Sequence, residues 1–168
     1  MRRTYNRERY MDRVALIREH VPDCSLTTDI IVGFPGETEA DFEETLAVAE
    51  EVGYDSAFTF IFSPRRGTLA ADLEGHLPHP VKRDRMERLV EVVQRRATER
   101  AQRFVGRTVE VLVEGPSRTD PEKLRGRTRH NKTVNFHGVA QAGELTQVEV
   151  EAATSTTLAG EQRLLSRA

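Results

Sequence analysis

The sequence has very little cysteine, because Cys24 is the only one among its 168 residues. A single thiol cannot form an intrachain disulfide, nor can it supply the thiolates that a cysteine-based zinc site or an iron–sulfur cluster needs. Long apolar runs are also absent, since no stretch approaches the roughly 18 uncharged residues that cross a bilayer. These absences exclude a membrane span and a metal centre built from cysteines of this sequence alone.

The first residues of the sequence do not resemble a secretory signal. Charged residues follow Met1 where such a signal has an apolar segment and a cleavage site. We therefore expect a cytoplasmic protein. The composition, with 38% hydrophobic and 31% charged residues, is at the low edge of the globular range and excludes a wholly disordered chain. The length is that of one ordinary domain or two small ones.

The net charge of only −2 conceals a strong segregation of charge along the chain. Ten acidic residues and no lysine or arginine lie between Val21 and Pro64. Basic residues predominate later, with eight bases against four acids from Lys82 to Arg103 and six against two from Arg118 to His137. We expect the acidic stretch to repel a polyanion and the second half to be where phosphate would bind, although local charge runs are also ordinary on a mixed surface.

The first half of the sequence alternates between helical and strand patterns. Apolar residues recur at helical spacing in two segments, and apolar, β-branched runs separate them. Capping residues and helix breakers mark the limits of the helices. The sequence predicts, in order, a helix capped by Asn6 and ended by Pro22, a strand over Cys24 to Val32, a helix opened by Thr38 and stopped by Gly53, and a strand over Ala57 to Phe62. This order predicts a parallel β–α–β unit.

The second half of the sequence changes from a long helix to short strands. Pro80 suits the first turn of a long helix that ends near Gly106. Short alternating segments with glycine turns follow, which is typical of a small β-barrel. The predicted strand segments are Thr108 to Glu114, a polar strand pair over Gly126 to Asn135, Leu145 to Val150, and Leu158 to Leu165. We place the domain boundary so that residues 1–103 form one domain and residues 104–168 the other.

Two parallel strands cannot make a stable sheet by themselves. Parallel sheets need cover on both faces, and an open apolar edge pairs with other chains. Residues 1–103 are therefore expected to be part of a larger α/β barrel and the sequence a piece of a longer polypeptide. The alternative is a compact small α/β domain.

Three segments, in order along the chain, resemble the radical SAM tRNA methylthiotransferases. They are Leu26 to Thr38, Tyr54 to Arg65 and Gly126 to Phe136. The resemblance covers nearly the whole sequence and is greatest to the bacterial enzymes that methylthiolate carbon 2 of isopentenyl-adenosine beside the tRNA anticodon. One departure is Arg66, which stands where the family usually has a proline in the turn after Pro64 and Arg65.

The resemblance implies an α/β fold class: a partial (β/α) radical SAM barrel over residues 1–103, followed by a small all-β, OB-like TRAM barrel over residues 104–168 that binds tRNA. It implies S-adenosyl-L-methionine (SAM) and [4Fe–4S] clusters as cofactors of the full-length protein, which we expect to be a monomer. The family holds its clusters with cysteines on the first barrel strand and in an N-terminal domain, and this sequence has neither. We therefore expect the chain alone to be inactive.

The predicted cofactor-binding residues are Gly33, Gly36, Ser63 and Pro64. They follow the two predicted strands, and the carboxyl ends of strands face the active site of an α/β barrel. Glycine allows a cofactor to approach the backbone closely, and the resemblance implies that SAM lies nearby. The alternative is that these glycines only build the turn between strand and helix. The sequence predicts no catalytic residue and no metal ligand.

The predicted RNA-binding residues are Arg125, Arg127 and Arg129, with Asn131 and Lys132 as an extension. The three arginines occupy alternate positions, so on a strand they project to one face. Three guanidinium groups on one face suit the phosphates of RNA. The alternative is an ordinary solvated strand.

Two other functions stay open at this point. The chain is either an RNA-binding module without any catalytic part, or a relative of the sister methylthiotransferases that modify a ribosomal protein. The sister group is expected to lack the strand Asp55 to Phe60 and the segment Asn131 to Phe136 as they stand here.

Overall fold

The computed structural model describes residues 4–164, and the chain divides into two compact units, Met1–Arg96 and Ala97–Ala168. Within residues 4–164, no helix has the length and apolar character that a membrane crossing requires. The domain limits of 1–103 and 104–168 stay a prediction.

The first unit contains a parallel pair of strands with helices before, between and after them. Its elements are α1 (Arg7–His20), β1 (Thr27–Val32), α2 (Glu39–Val52), β2 (Ser56–Ile61), a 3₁₀ turn (Leu69–Ala71) and α3 (His79–Ala101), whose last residues belong to the second unit. β1 and β2 pair in parallel from Thr27 opposite Ser56 to Val32 opposite Ile61, which confirms the predicted β–α–β unit. β1 starts three residues later than predicted because the chain is still turning at Cys24, whose N–H donates to the Val21 carbonyl.

The predicted helix limits of the first unit are confirmed by their caps. The Asn6 side chain accepts a hydrogen bond from the Arg9 N–H at 3.1 Å at the start of α1. Thr38 and Asp41 form a reciprocal capping box at the start of α2. Gly53 ends α2 in the left-handed conformation, with φ of 55°. Local side-chain chemistry therefore sets where these helices begin and end.

Within residues 4–164, the sheet of the first unit is covered on one face only. Val14 of α1, Phe42 of α2 and Leu89 of α3 pack in one apolar core with side chains from that face of the sheet. The alternate positions point the other way, and there Phe58 is 67% and Phe60 50% exposed. The sheet therefore presents an apolar open face.

Acidic residues in and just before α2 pair with basic residues of α3. Arg88 forms ion pairs with Glu39 and Glu43, and Arg95 bonds to Glu50. This pairing, which we call the α2–α3 ion-pair ladder, is completed by the Arg85–Glu37, Arg85–Glu39 and Arg96–Glu50 pairs. The acidic and basic stretches of the sequence therefore pair with each other in the structure, and these bases of α3 are engaged by carboxylates.

The second unit is a closed β-barrel, as predicted. After a 3₁₀ turn (Gln102–Phe104), its strands are β3 (Thr108–Pro116), β4 (Leu124–Thr128), β5 (Thr133–His137), β6 (Leu145–Ala153) and β7 (Thr157–Gln162). They close in the order β3-β4-β5-β7-β6, and all neighbours are antiparallel except β5 and β7. The predicted last strand ran to Leu165, which lies outside the described residues, and β7 itself ends at Gln162.

The interior of the barrel is filled by alternate apolar side chains. Val111, Val134, Phe136 and Val148 are fully buried there, and Phe104 from the 3₁₀ turn joins the same core. The burial pattern of β3 alternates along the strand, so its intervening residues point outwards. Residues on the outer face are therefore available for contacts with a partner.

Candidate cofactor and nucleic-acid sites

Glu37 fixes the turn that follows β1. Its Oε2 atom accepts a hydrogen bond from the Gly33 N–H at 2.7 Å and one from Nη1 of Arg85 at 2.6 Å. Arg85, which is only 3% exposed, also donates to the Glu37 carbonyl at 3.0 Å. A buried guanidinium needs such a partner, because an unpaired charge in the interior is strongly destabilising. The turn from Gly33 to Glu37 is therefore anchored to α3.

Lys82 of α3 crosses the same turn. It is 8% exposed, and its Nζ atom donates to the Phe62 carbonyl at 3.3 Å and lies 5.5 Å from the centre of the Phe62 ring. A Cβ atom on Gly33 would lie 2.6 Å from Cγ of Lys82, and the φ of Gly33 is 74°. Position 33 therefore disfavours any side chain, both because its backbone is left-handed and because Lys82 fills the space beside it. Lys82 also connects the ends of β1 and β2.

The structure brings the predicted cofactor-binding residues to the same end of the parallel sheet. Gly36 is exposed, has a φ of 79°, and has no heavy atom within 4 Å of its Cβ position. Ser63 and Pro64 are exposed just after β2. At Gly33 the close approach is made by Lys82, so the turn-building alternative explains that glycine. The cofactor-binding role of the four residues stays a prediction.

The loop before α3 folds back over this turn. The Gly36 N–H donates to the Gly75 carbonyl at 2.9 Å. The rings of Phe34 and Phe62 meet edge to face at 5.0 Å, and His76 lies 6.0 Å from Phe62. These contacts hold the segments after β1 and β2 together as one rim of the sheet.

The three predicted arginines reach carboxylates of the neighbouring strand β3. Nε of Arg127 and Nε of Arg125 lie 2.9 Å and 3.3 Å from the two carboxylate oxygens of Glu114. Nε of Arg129 lies 3.0 Å from Oε1 of Glu110. The prediction that Arg129 lies on the same strand is wrong, because β4 ends at Thr128 and the chain turns there. The arginines share one side of the barrel, but with carboxylates between them.

The turn after β4 is built around Thr128. Its Oγ1 atom accepts from the N–H groups of His130 and Lys132, each at 3.2 Å. Asn131 adopts a φ of 58°, and its side-chain oxygen accepts from Nη1 of Arg127 at 2.9 Å. Asn131 is therefore exposed beside the arginines, as the prediction requires.

Lys132 differs from the prediction that it extends an exposed basic patch. It is 5% exposed, and its Nζ atom donates to the Ser155 carbonyl at 3.0 Å. The ammonium group thereby satisfies a backbone acceptor of the turn between β6 and β7. Lys132 thus connects two turns of the barrel and is separate from the exposed surface.

We call the cluster of Arg125, Arg127, Arg129, Asn131, Glu110 and Glu114 the arginine face. Its three arginines and two glutamates leave a net charge of +1 rather than the +3 that the arginines alone imply. Exposure within it is uneven, because the side chain of Arg129 is 84% exposed and that of Arg125 23%.

The opposite side of the barrel carries acidic residues. Glu149 of β6 and Glu161 of β7 are exposed and lie directly across from each other. Arg163, just after β7, lies on this side too, with its Nη1 atom 3.5 Å from Oγ1 of Thr108, the residue paired with Glu149.

The loop between β3 and β4 adds one more ion pair near the predicted basic cluster. Lys123 contacts the Asp120 carboxylate at 3.0 Å. Hydrogen bonds from Lys123 and from the Glu122 N–H lower the pKa of Asp120 below its usual value. Lys123 is thus engaged by its own loop.

No group of three or more histidine, cysteine, aspartate and glutamate side chains within residues 4–164 is placed to hold a metal ion. Cys24 is half-buried just before β1.

The sequence analysis did not identify the residues that position both regions. They are Lys82 and Arg85 beneath the strand ends, and Glu110 and Glu114 beside the arginines. One signal was present, because the acidic stretch and the basic helix are complementary in charge. Glu110 and Glu114 at outward positions of β3, beside the alternating Arg125 and Arg127 of β4, were a second signal.

Comparison with known proteins gives two family matches. The Radical SAM superfamily matches residues 1–49, and the TRAM domain matches residues 102–162. The residues of the TRAM match include all five strands of the closed barrel, which is consistent with a TRAM domain.

The chain is also similar to curated bacterial proteins named tRNA-2-methylthio-N(6)-dimethylallyladenosine synthase. It is 51% identical to those of Moorella thermoacetica and Clostridium perfringens and 49% identical to that of Clostridium novyi, in each case over 162 residues. These alignments cover 96% of this chain and 36% of each relative. The chain thus spans about a third of the length of these relatives, and the resemblance predicted from the sequence is confirmed.

Proposed function

Because nearly the whole chain is similar to the tRNA-2-methylthio-N(6)-dimethylallyladenosine synthases, we propose that it takes part in methylthiolation of carbon 2 of isopentenyl-adenosine beside the tRNA anticodon. The observation that carries the proposal is the 51% identity over 162 residues, which spans both units. In this proposal the first unit contributes to the SAM and substrate pocket, and the TRAM domain holds the tRNA. Such an enzyme meets its tRNA in the cytoplasm and acts as a monomer when full length.

The first unit is proposed to be part of a (β/α) radical SAM barrel. Parallel sheets are normally buried on both faces, whereas here Phe58 and Phe60 are exposed beside Asp29 and Ile31. In a complete barrel this apolar face lies inside, covered by the side chains of further strands. The open face of the sheet supports the proposal.

SAM is proposed to lie at the strand ends beside Gly36, Ser63 and Pro64. Gly36 supports this placement, because apart from its neighbours in the chain no atom lies within 4 Å of its Cβ position. Gly33 is proposed to act indirectly, through the turn that Lys82 and Glu37 hold in place.

The [4Fe–4S] cluster of the radical SAM family does not fit the residues present. Such a cluster needs several thiolates, and Cys24 is the only cysteine of the sequence. The cluster, whose chemistry is the reductive cleavage of SAM, therefore has no site among these residues. We propose that this chain alone is inactive in methylthiolation.

The arginine face is proposed as the surface that binds tRNA. Guanidinium groups suit phosphate oxygens because they donate in a planar fork, and Asn131 adds a polar side chain beside them. Lys132 is proposed to stabilise the turn rather than to contact RNA, because its ammonium is bonded to Ser155.

The experiment that tests this surface is the simultaneous change of Arg125, Arg127 and Arg129 to alanine. We expect weaker binding of a tRNA anticodon stem–loop at low salt. The slope of log K against log salt should become shallower by about 1 to 2 units, rather than the nearly 3 expected of three unpaired cations, because Glu110 and Glu114 already neutralise part of the charge. Fluorescence anisotropy over a salt series measures both quantities.

The matched control changes Arg95, Arg96 and Arg100 of α3 to alanine. Arg95 is bonded to Glu50 and Arg96 lies beside the same carboxylate, so we expect a smaller effect on binding. If the α3 triple variant loses binding and the triple variant of Arg125, Arg127 and Arg129 binds like the wild type, the arginine face is not the tRNA surface.

The substrate class is tested in cells. Modified-nucleoside mass spectrometry of a deletion strain complemented with the full-length gene should show the methylthio group on tRNA. Modification of a ribosomal protein instead would support the sister function. RNA binding without any modification would support a binding module.

A further inference from the structure

Glu114 lies between two arginines of the proposed RNA surface. One of its oxygens is 2.9 Å from Nε of Arg127 and the other 3.3 Å from Nε of Arg125, while Glu110 holds Nε of Arg129 at 3.0 Å. The carboxylates are themselves accessible, because the side chains of Glu114 and Glu110 are 38% and 35% exposed. Anything that binds the arginines therefore also meets two negative charges.

The stability of the barrel does not explain this arrangement. Exposed ion pairs contribute little to folding stability. The barrel is already closed by five strands around a buried apolar core. A surface that only had to attract phosphate would bind it more strongly with a neutral residue at position 110 or 114. The glutamates thus weaken the attraction that the arginines provide.

Resting on the proposed RNA-binding function, we infer that Glu110 and Glu114 are specificity-determining residues that reject RNA whose phosphates are not spaced to meet the arginines. Contacts to phosphate alone are independent of sequence and produce non-specific binding. A flexible single-stranded RNA can bind the arginine face in many alignments. The alignments that bring a phosphate against Glu110 or Glu114 are penalised. A folded loop that docks in one register avoids this repulsion, so selectivity comes from a repulsive element.

The test replaces the carboxylates with amides of the same shape in the whole chain, as Glu110→Gln, Glu114→Gln and the double variant. The two probes are a tRNA anticodon stem–loop and a poly(U) strand of equal length. We expect Glu114→Gln to raise the affinity for poly(U) by about fivefold, which corresponds to the roughly 1 kcal/mol of one charge–charge contact in water. The affinity for the stem–loop should rise by clearly less, so the ratio between the probes falls.

The matched control is Glu161→Gln, which removes the same charge on β7, where its cross-strand neighbours are His137 and Glu149. We expect this change to leave the ratio between the probes unaltered. Thermal denaturation establishes that each single variant is folded, as expected for exposed ion pairs of small energetic weight.

Two results would overturn the inference. One is an unchanged ratio between the probes in the glutamine variants, and the other is weaker binding of both probes, which would make the glutamates positioning residues instead. The arginine variants separate this inference from the proposed function. If arginine removal weakens RNA binding and the glutamine variants do not change the ratio, only the inference fails; if arginine removal has no effect, the proposed surface itself fails.

Discussion

Two buried cations, Lys82 and Arg85, determine the form of the turn that follows β1. Arg85 bonds to the carboxylate that also closes the turn, and the stem of Lys82 occupies the space beside Gly33. Both side chains come from α3, so the rim where SAM is proposed to bind is shaped by the helix behind it. The glycines of this turn consequently differ in role.

This difference predicts unequal effects of two matched substitutions. Gly33→Ala combines a left-handed backbone, costing about 1 to 2 kcal/mol, with overpacking against Lys82 that adds about 1 to 3 kcal/mol. Gly36→Ala has only the backbone penalty, because the space beside it is open. Urea denaturation should show the larger loss of unfolding free energy for Gly33→Ala. Equal losses would mean that Lys82 moves aside at little cost.

The sequence was sufficient to predict the glycine turn and the arginines but not their partners. Gly33 and Arg127 belong to local patterns, a turn after a strand and an alternation along a strand. Arg85 lies 48 residues beyond Glu37, and pairing between them depends on how α3 packs. The burial of Lys132 likewise follows from a contact with Ser155, 23 residues away, which no local pattern contains.

At the level of elements, the α2–α3 ion-pair ladder makes stability depend on pH. Hydrogen bonds from Arg88 and Arg95 lower the pKa of Glu39 and Glu50 below the usual 4.5. A carboxyl whose pKa is lower in the folded state stabilises the fold fully above its unfolded pKa, and this contribution is lost as the pH falls through the folded pKa. The ladder therefore contributes at neutral pH and fails in acid.

We predict that the urea midpoint for unfolding of the first unit falls as the pH is lowered from 7 to below about 4.5, the ordinary pKa of a glutamate. The variant Glu50→Gln should lose part of this pH dependence, because it cannot form the charged pair with Arg95. Glu161→Gln, which is outside the ladder, serves as the control. An identical pH dependence in all three proteins would show that the Glu50 pair contributes nothing.

The types of the elements could be predicted from the sequence better than their ends. The caps at Asn6 and Thr38 are local, and the structure confirms both. β1 starts after the predicted Cys24 and β3 continues past the predicted Glu114, because turns and cross-strand pairing decide where strands stop. The parallel pairing of β5 with β7 depends on closure of the barrel, and the sequence has no local signal for it.

At the scale of the whole molecule, the chain combines a sheet with an open apolar face and a closed barrel that carries the arginine face. The first unit exposes Phe58 and Phe60, whereas the second buries its apolar residues within five strands. This contrast fits a proposed division of labour in which one unit is completed by further barrel strands and the other binds RNA. Because Glu149 and Glu161 lie on strands that do not adjoin β4, we predict that the RNA binds on the β4 side of the barrel.

The most direct test of the proposed RNA surface is an NMR titration of the chain with a tRNA anticodon stem–loop. We predict that backbone amide shifts concentrate on β4, residues 124–128, and on the turn at residues 129–132. Amides around Glu149 and Glu161 should remain unperturbed, because these two exposed carboxylates disfavour contact with phosphate. Shifts confined to β6 and β7, or to α3, with β4 unchanged, would contradict the proposal that the arginine face binds tRNA.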